Sequence, residues 1–154
     1  MTALLIADLR ARPAFADTVA QHIWATFWRH RDVPFDEIRA GFARHMETDG
    51  MPFTLVAERE GMLCGTVSVI ASDEPARLDL TPWIAALWVD EAARGRGVAR
   101  ALLEDAATRC RALGVETLFL TARPALRDFY DRLGWRMVDD GIGPARLVIM
   151  ERML

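Results

Sequence analysis

The spacing of apolar residues predicts that the chain begins with one strand followed by two helices. The short apolar run Ala3–Leu9 is typical of a strand. Apolar residues then recur at helical spacing over residues 13–29 and again over 35–50, with a break between the two segments. The opening order is therefore β, α, α.

The remaining pattern predicts six more strands and two more helices. The nearly continuous apolar run Trp83–Val89 is typical of a strand buried on both faces in the middle of a sheet. Helices are predicted over residues 97–113 and 126–133, because apolar residues form one stripe and a glycine follows each segment. The full order is βααβββαβαββ, an α/β fold with mixed strand pairing. The other predicted strands are Phe53–Glu58, Leu63–Ile70, Val115–Thr121, Trp135–Val138 and Leu147–Met153.

Composition limits the class of protein. A chain of 154 residues with 52% hydrophobic content fits one globular domain over residues 1–154. The formal net charge of -3, with acids and arginines mixed along the chain, argues against nucleic acid as a partner. No apolar run is long enough to span a membrane, and the N-terminus has no signal-peptide pattern. With two widely spaced cysteines, this favours a cytoplasmic protein with free thiols.

The most informative segment is Leu87–Ala99, where the central apolar run ends and an Arg/Gly-rich turn opens a helix. Arg94, Arg96 and Arg100 lie at a helix N-terminus, where the macrodipole disfavours cations. No capping side chain is available for the first amides of that helix. A bound anion satisfies both the amides and the arginines, whereas the alternative is a solvated basic turn.

Two common phosphate-binding motifs do not fit this turn. A P-loop needs Gly-Lys-Ser/Thr, and the chain contains no lysine. The dinucleotide fingerprint needs a third glycine at the position that Arg100 occupies.

The segment Arg94–Ala99 instead resembles the pyrophosphate loop of the GNAT superfamily of N-acetyltransferases. Phe129–Trp135 is similar to that family's Phe-Tyr-x-x-Leu-Gly-Phe/Trp segment, and Leu147–Leu154 to its closing strand. The resemblance covers most of the chain and implies a mixed, mostly antiparallel central sheet flanked by helices. It also implies a V-shaped splay between the fourth and fifth strands.

The resemblance implies acetyl-CoA as co-substrate. Backbone groups of Leu87, Trp88 and Val89 are then expected to bind the pantetheine arm as an added strand does. Arg123 stands where many members carry an asparagine that helps to hold the cofactor, so that contact is replaced or lost. The residues expected around the pyrophosphate are Arg94, Gly95, Arg96, Gly97, Val98, Ala99 and Arg100.

The same resemblance implies a general acid and leaves the base open. Tyr130 matches the family's acid for the leaving thiolate, although its place on an apolar stripe also fits a core aromatic. A backbone N–H near Trp88 or Val89 is the implied oxyanion donor. Asp79 is the first candidate for the base, with Asp73, Glu74 or a water chain as alternatives. The three histidines show no metal-ligand spacing, so no metal is expected.

The acceptor is expected to be an amine, either a small molecule or a peptide. In the family the first two helices and the loop before the central strand form its site, which here places Trp28, Asp32 and Trp83 among the candidate contacts. For each of them a core or solvated role is the alternative. The sequence leaves the acceptor's identity open, and a homodimer as well.

The leading hypothesis is an acetyl-CoA-dependent N-acetyltransferase that works by direct transfer in a ternary complex. No cysteine has a recognisable histidine partner, which disfavours an acyl-enzyme. The alternatives are a non-catalytic acyl-CoA sensor and a nucleotide-binding module.

Overall fold

The elements of the fold follow the predicted order. Within residues 3–154, which the computed structural model describes, there are seven strands and four α-helices. They are β1 (Leu5–Asp8), α1 (Ala16–Ile23), α2 (Phe35–Glu47), β2 (Phe53–Arg59), β3 (Met62–Ile70), β4 (Trp83–Val89), α3 (Val98–Ala112), β5 (Thr117–Ala122), α4 (Arg127–Arg132), β6 (Arg136–Ile142) and β7 (Leu147–Met153).

The strands form one mixed sheet in the order β1-β2-β3-β4-β5-β7-β6. β1 pairs antiparallel with β2, and β7 pairs antiparallel with both β5 and β6. β4 and β5 are parallel and in register at Trp83 opposite Phe119. The predicted fold class is therefore confirmed, whereas the splay of β4 from β5 beyond this point stays a prediction.

The first helical segment is less regular than its apolar spacing predicts. A 3-10 turn at Pro13–Phe15 precedes α1, and a π-helical segment, Trp24–Trp28, follows it directly. A second 3-10 turn then ends at Asp32, which has a left-handed φ of 56°. The apolar stripe continues through this segment, so hydrophobic spacing alone did not reveal the change of helix type.

Two predicted strand boundaries are shifted for identifiable reasons. The amide of Val115 donates to the Cys110 carbonyl (3.0 Å), and Gly114 has a φ of 85°, so Val115 belongs to the C-terminal cap of α3. β6 continues four residues beyond its predicted end because two register shifts against β7, on either side of Asp139, carry the pairing on to Ile142.

The chain divides into two compact units, each with its own apolar cluster. The first comprises residues up to Ser68 together with Ala86–Ala106. Its cluster joins the buried faces of α1 and α2 to β2, and Ala86 and Trp88 of β4 pack against it. The buried members are Leu9, Val19, Ala20, Ile23, Phe42 and Val56.

The second unit comprises Val69–Ala85 and Ala107–Leu154. Trp83, Phe119 and Ile149 form its buried cluster, with Ile70, Leu80 and Ile142 packed around them. The prediction of a single domain over the whole chain stays a prediction.

A glycine in β3 allows α3 to pack very closely against that strand. A Cβ at Gly65 would lie 2.9 Å from Val98 Cγ1, 3.1 Å from Leu102 Cδ1 and 3.1 Å from the Trp88 carbonyl oxygen. These contacts leave no room for a methyl group without movement of the helix or of β4. Gly65 therefore helps to define where α3 begins.

We expect Gly65→Ala to lower the free energy of unfolding by about 1–3 kcal/mol, the usual cost of overpacking. Gly41→Ala in α2 is the matched control, because a Cβ there meets only Arg44 Nη2 at 3.7 Å. The control should be neutral or stabilising by up to about 1 kcal/mol. Urea unfolding measures both, and equal effects would show that the close contact is unimportant.

Candidate active site

The Arg/Gly turn leaves its backbone open to a ligand. Gly95 and Gly97 have φ values of 75° and 80°, in the left-handed region that glycine adopts without strain. A Cβ at either position would meet nothing within 4 Å. The glycines are thus required by the course of the backbone, and the space beside them is free.

Helix α3 presents unpaired amides next to this space. The Ala101 amide donates to the Gly97 carbonyl (3.0 Å), so the amides just before Ala101 belong to the first turn, which lacks intrahelical acceptors. No acidic residue lies in that turn. The arrangement suits a phosphate group, since the amides and the helix dipole both favour an anion.

The three arginines of the turn are all exposed, but they differ in their contacts. Arg94 Nε donates to the carbonyl of Val89 (3.1 Å), which ties the turn to the end of β4. Among the described residues, the structure gives Arg96 and Arg100 no side-chain partner, and Arg123 has none either. These guanidinium groups are available to an incoming anion.

Strand β4 is less buried than its apolar sequence predicts. Trp83 and Ile84 are buried, whereas the strand from Ala85 to Val89 is only partly covered. Ala86 has a φ of 53°, an unfavourable conformation for a residue other than glycine. Such backbone strain is found preferentially at functional sites, and here it lies beside the predicted pantetheine-binding segment.

His22, whose sequence position suggests neither a metal ligand nor a catalytic group, packs on this part of β4. The His22 imidazole stacks on the Trp88 indole with 4.1 Å between ring centroids and 16° between ring planes. Both residues are partly exposed. His22 follows Val19 by three positions, so the helical stripe contained the signal that one edge of His22 faces the sheet.

Tyr130 is a buried phenol surrounded by aromatic rings. It is 7% exposed and packs edge-on against Phe129 and Trp135, with centroid distances of 5.1 and 6.3 Å. Burial raises the pKa of Tyr130 to about 12, because the phenolate loses solvation. The hydroxyl therefore keeps its proton at physiological pH.

The carboxylate of Asp79 is held in a bidentate ion pair. Arg77 Nε and Nη2 donate to its two oxygens, each at 3.0 Å, and Arg77 Nη1 donates to Asp139 Oδ2 at 3.0 Å. The hydrogen bonds from Arg77 lower the pKa of Asp79. This speaks against Asp79 as the base, since a carboxylate so stabilised accepts a proton poorly.

Asp73, an alternative base, has a raised pKa where that of Asp79 is lowered. The residue is exposed, but neighbouring protein atoms crowd its carboxyl group, and this desolvation raises its pKa. The nearby Glu74 raises the pKa further, while a hydrogen bond from Thr121 lowers it. The raised pKa of Asp73 is one property expected of a general base. Its partner Thr121 lies near the carboxyl end of β5.

The three predicted acceptor contacts lie in different environments. Trp83 is fully buried, and its Nε1 donates to the Leu80 carbonyl (2.7 Å), so it is a core residue and not a surface for substrate. Trp28 is partly exposed and carries the Arg31 guanidinium 5.5 Å from its ring centroid. Asp32 is exposed at the end of the 3-10 turn.

Neither cysteine is disposed to act as a nucleophile. Cys64 and Cys110 are both buried and free. Desolvation raises the pKa of the Cys110 thiol to about 11 and that of Cys64 in the same direction, so both stay protonated.

Residues 3–154 contain no group of three or more His, Cys, Asp or Glu side chains placed to hold a metal ion. Nor does any helix among them combine the length and the apolarity needed to cross a membrane.

Several solved structures have a fold similar to that of this chain. The fold is similar to that of an aminoglycoside 6'-N-acetyltransferase complexed with coenzyme A, with a TM-score of 0.76, 15% identity and coverage of 97% of this chain and 96% of that one. It is also similar to a GNAT-family acetyltransferase from Staphylococcus aureus (TM-score 0.73, 14% identity, 99% of both chains). An acyl-CoA N-acyltransferase from Pseudomonas aeruginosa gives a TM-score of 0.68 at 21% identity over 99% of both chains. At these identities the likeness concerns the fold alone.

The family model of the GNAT acetyltransferases matches residues 16–135, which is most of the chain. The chain therefore belongs to the GNAT acetyltransferase family, as its motifs predict. No curated protein has a matching sequence.

The titration of Tyr130 tests the environment described for it. Because Tyr130 is the only tyrosine, the tyrosinate absorbance of the folded protein reports this residue alone. We expect a midpoint near 12 in place of 10. Tyr130→Phe should abolish the signal, and a midpoint near 10 would contradict the burial of the hydroxyl.

The same shift makes stability depend on pH. A folded-state pKa above the unfolded one means that the native state binds more protons between pH 10 and 12, so the contribution of Tyr130 is complete below pH 10 and lost as pH rises toward 12. In urea unfolding between pH 10 and 12, the free energy of unfolding should fall more steeply with pH for the wild type than for Tyr130→Phe.

Proposed function

We propose that this protein transfers the acetyl group of acetyl-CoA to a primary amine by direct attack within a ternary complex. Membership of the family supports acyl transfer. The observation that carries the choice of donor is the Arg/Gly turn, where open glycine backbone, first-turn amides and unpartnered arginines come together. The two protonated, buried cysteines favour direct transfer over an acyl-enzyme.

The residues of the turn fit a pyrophosphate. The amides of Gly95 to Ala99 can approach it closely, since no side chain stands over Gly95 or Gly97. Arg96 and Arg100 add charge-assisted contacts. Arg94 can donate from its Nη groups, because only its Nε is bonded to the Val89 carbonyl. Val98 is buried against Gly65, so it can contribute only its backbone.

The partly exposed segment of β4 supplies the next contacts. In the proposal, backbone groups of Leu87, Trp88 and Val89 hydrogen-bond the pantetheine amides. A backbone N–H near Trp88 or Val89 then stabilises the negative charge that develops on the acetyl oxygen. When bound, acetyl-CoA supplies the activated thioester, and the chain supplies position and charge stabilisation.

Tyr130 is proposed to serve the leaving thiolate. Its raised pKa makes complete proton transfer to an ordinary thiolate unfavourable, because an unperturbed thiol has a pKa of about 8.5. Its protonated hydroxyl can nevertheless donate a hydrogen bond as charge develops on sulfur. Asp79 is left out of the proposal because Arg77 engages both of its oxygens.

The acceptor is proposed to be a small or peptide amine that approaches the first helices. Trp28 and Asp32 remain candidates to contact it, since a partly exposed indole and an exposed carboxylate suit a cationic amine. Trp83 is excluded by its burial. The free, buried thiols of Cys64 and Cys110 accord with a reducing compartment such as the cytoplasm.

Replacement of Arg96 tests the cofactor site. We expect Arg96→Gln to weaken coenzyme A binding about tenfold or more, which corresponds to the loss of one charge-assisted hydrogen bond. Calorimetric titration with coenzyme A measures this, and the melting temperature should be unchanged. Arg111→Gln, another exposed arginine at the far end of α3, is the matched control and should bind normally.

Tyr130→Phe tests turnover. Release of free thiol from acetyl-CoA in the presence of a panel of amines should fall on the order of 100-fold, the low end for acid catalysis because the phenol is a weak acid. Binding of coenzyme A should be retained. Unchanged turnover would remove Tyr130 from the mechanism, whereas binding without turnover on any amine in the wild type would indicate an acyl-CoA sensor.

A further inference from the structure

The proposed reaction needs a group that removes a proton from the acceptor. An alkylamine is protonated near neutral pH and cannot attack a carbonyl until it loses a proton. Because Arg77 occupies both oxygens of Asp79, the acid that most closely precedes β4 in the sequence is poorly suited to accept that proton.

An imidazole lies directly on the strand segment that the proposal assigns to the thioester. His22 and Trp88 stack at 4.1 Å between centroids, and Trp88 is the middle residue of Leu87–Val89. Ala86, with its left-handed φ, is two residues away on the same strand. His22 is thus placed beside the most unusual stretch of backbone in β4.

The stack also determines where the ring nitrogens point. The lone pair of an imidazole nitrogen lies in the plane of the ring, and the His22 plane is inclined by only 16° to the indole. The nitrogens are therefore directed along the face of Trp88 and not into it. Neither nitrogen has a hydrogen-bond partner among the described residues, and the side chain is only partly buried.

The local helix geometry is specialised at the same place. His22 lies in the last turn of α1, and the chain changes to a π-helix at Trp24. π-helical segments are rare and occur often at functional sites, where they change the direction in which side chains project.

We infer that His22 is the general base that takes the proton from the acceptor amine, directly or through one water molecule. This inference rests on the proposed function. His22 accepts one proton from the ammonium, and the freed lone pair forms the new N–C bond while the C–S bond breaks. The sulfur leaves as a thiolate that accepts a hydrogen bond from Tyr130, and it then takes up the second amine proton through solvent. His22 releases its own proton to solvent, so the products are the amide, coenzyme A thiol and one proton.

The test compares acceptors that differ in basicity. Primary amines are offered in pairs of similar shape but different basicity, and the smallest pair is ethylamine and trifluoroethylamine. The fluorine atoms lower the basicity of the second amine, so that it is largely unprotonated at neutral pH. His22→Phe retains a ring to stack on Trp88 but cannot accept a proton. We expect kcat/KM to fall about 100-fold or more for the basic amine and less than about tenfold for the fluorinated one. The KM for acetyl-CoA should stay within about twofold of its wild-type value.

His30→Phe is the control, because His30 is exposed in the following 3-10 turn and should leave both amines unaffected. An equal loss for both amines would show that His22 only supports the structure, and no loss would show that it is not the base. A basicity-dependent loss in Asp73→Asn, with none in His22→Phe, would assign the role to Asp73. If the wild type binds coenzyme A but turns over no amine, the proposed function fails and this inference with it.

Discussion

The close approach of α3 to β3 at Gly65 is the constraint on which the proposed cofactor site depends. With Val98, Leu102 and the Trp88 carbonyl all within 3.1 Å of a hypothetical Cβ, the start of the helix and the end of β4 are held against one strand. The turn between them must then reverse direction within a few residues, which requires left-handed backbone at Gly95 and Gly97. Tight packing on one side of the turn thus leaves its amides uncovered on the other.

Much of the fold could be predicted because strong local patterns coincide with the elements. The continuous apolar run of β4 and the closing segment of β7 have the predicted bounds. The π-helix at Trp24–Trp28 could not be predicted, since the four-residue spacing of Val19, Ile23 and Phe27 also fits an uninterrupted α-helix. The extension of β6 to Ile142 depends on its pairing with β7, which is information that no single segment contains.

In the candidate site, too, local motifs could be predicted from the sequence, whereas contacts between distant residues could not. The Arg/Gly turn and Tyr130 could be chosen as candidates from the sequence because their motifs are local, and their roles stay predictions. The sequence did not show that Trp83 is buried in a core. It also did not show that Arg77 binds Asp139, because the two residues lie 62 positions apart. The stack of His22 on Trp88 joins residues far apart in the chain, so only the folded structure reveals it.

The irregular pairing of β6 has a consequence for self-association. β6 is the last strand of the sheet, and an exposed edge can template aggregation by adding strands from other molecules. Its two register shifts interrupt the regular ladder that an added strand requires, and Arg77 holds the side chain of Asp139 between them. The bulges of β6 therefore make this edge less suited to fibril-like growth.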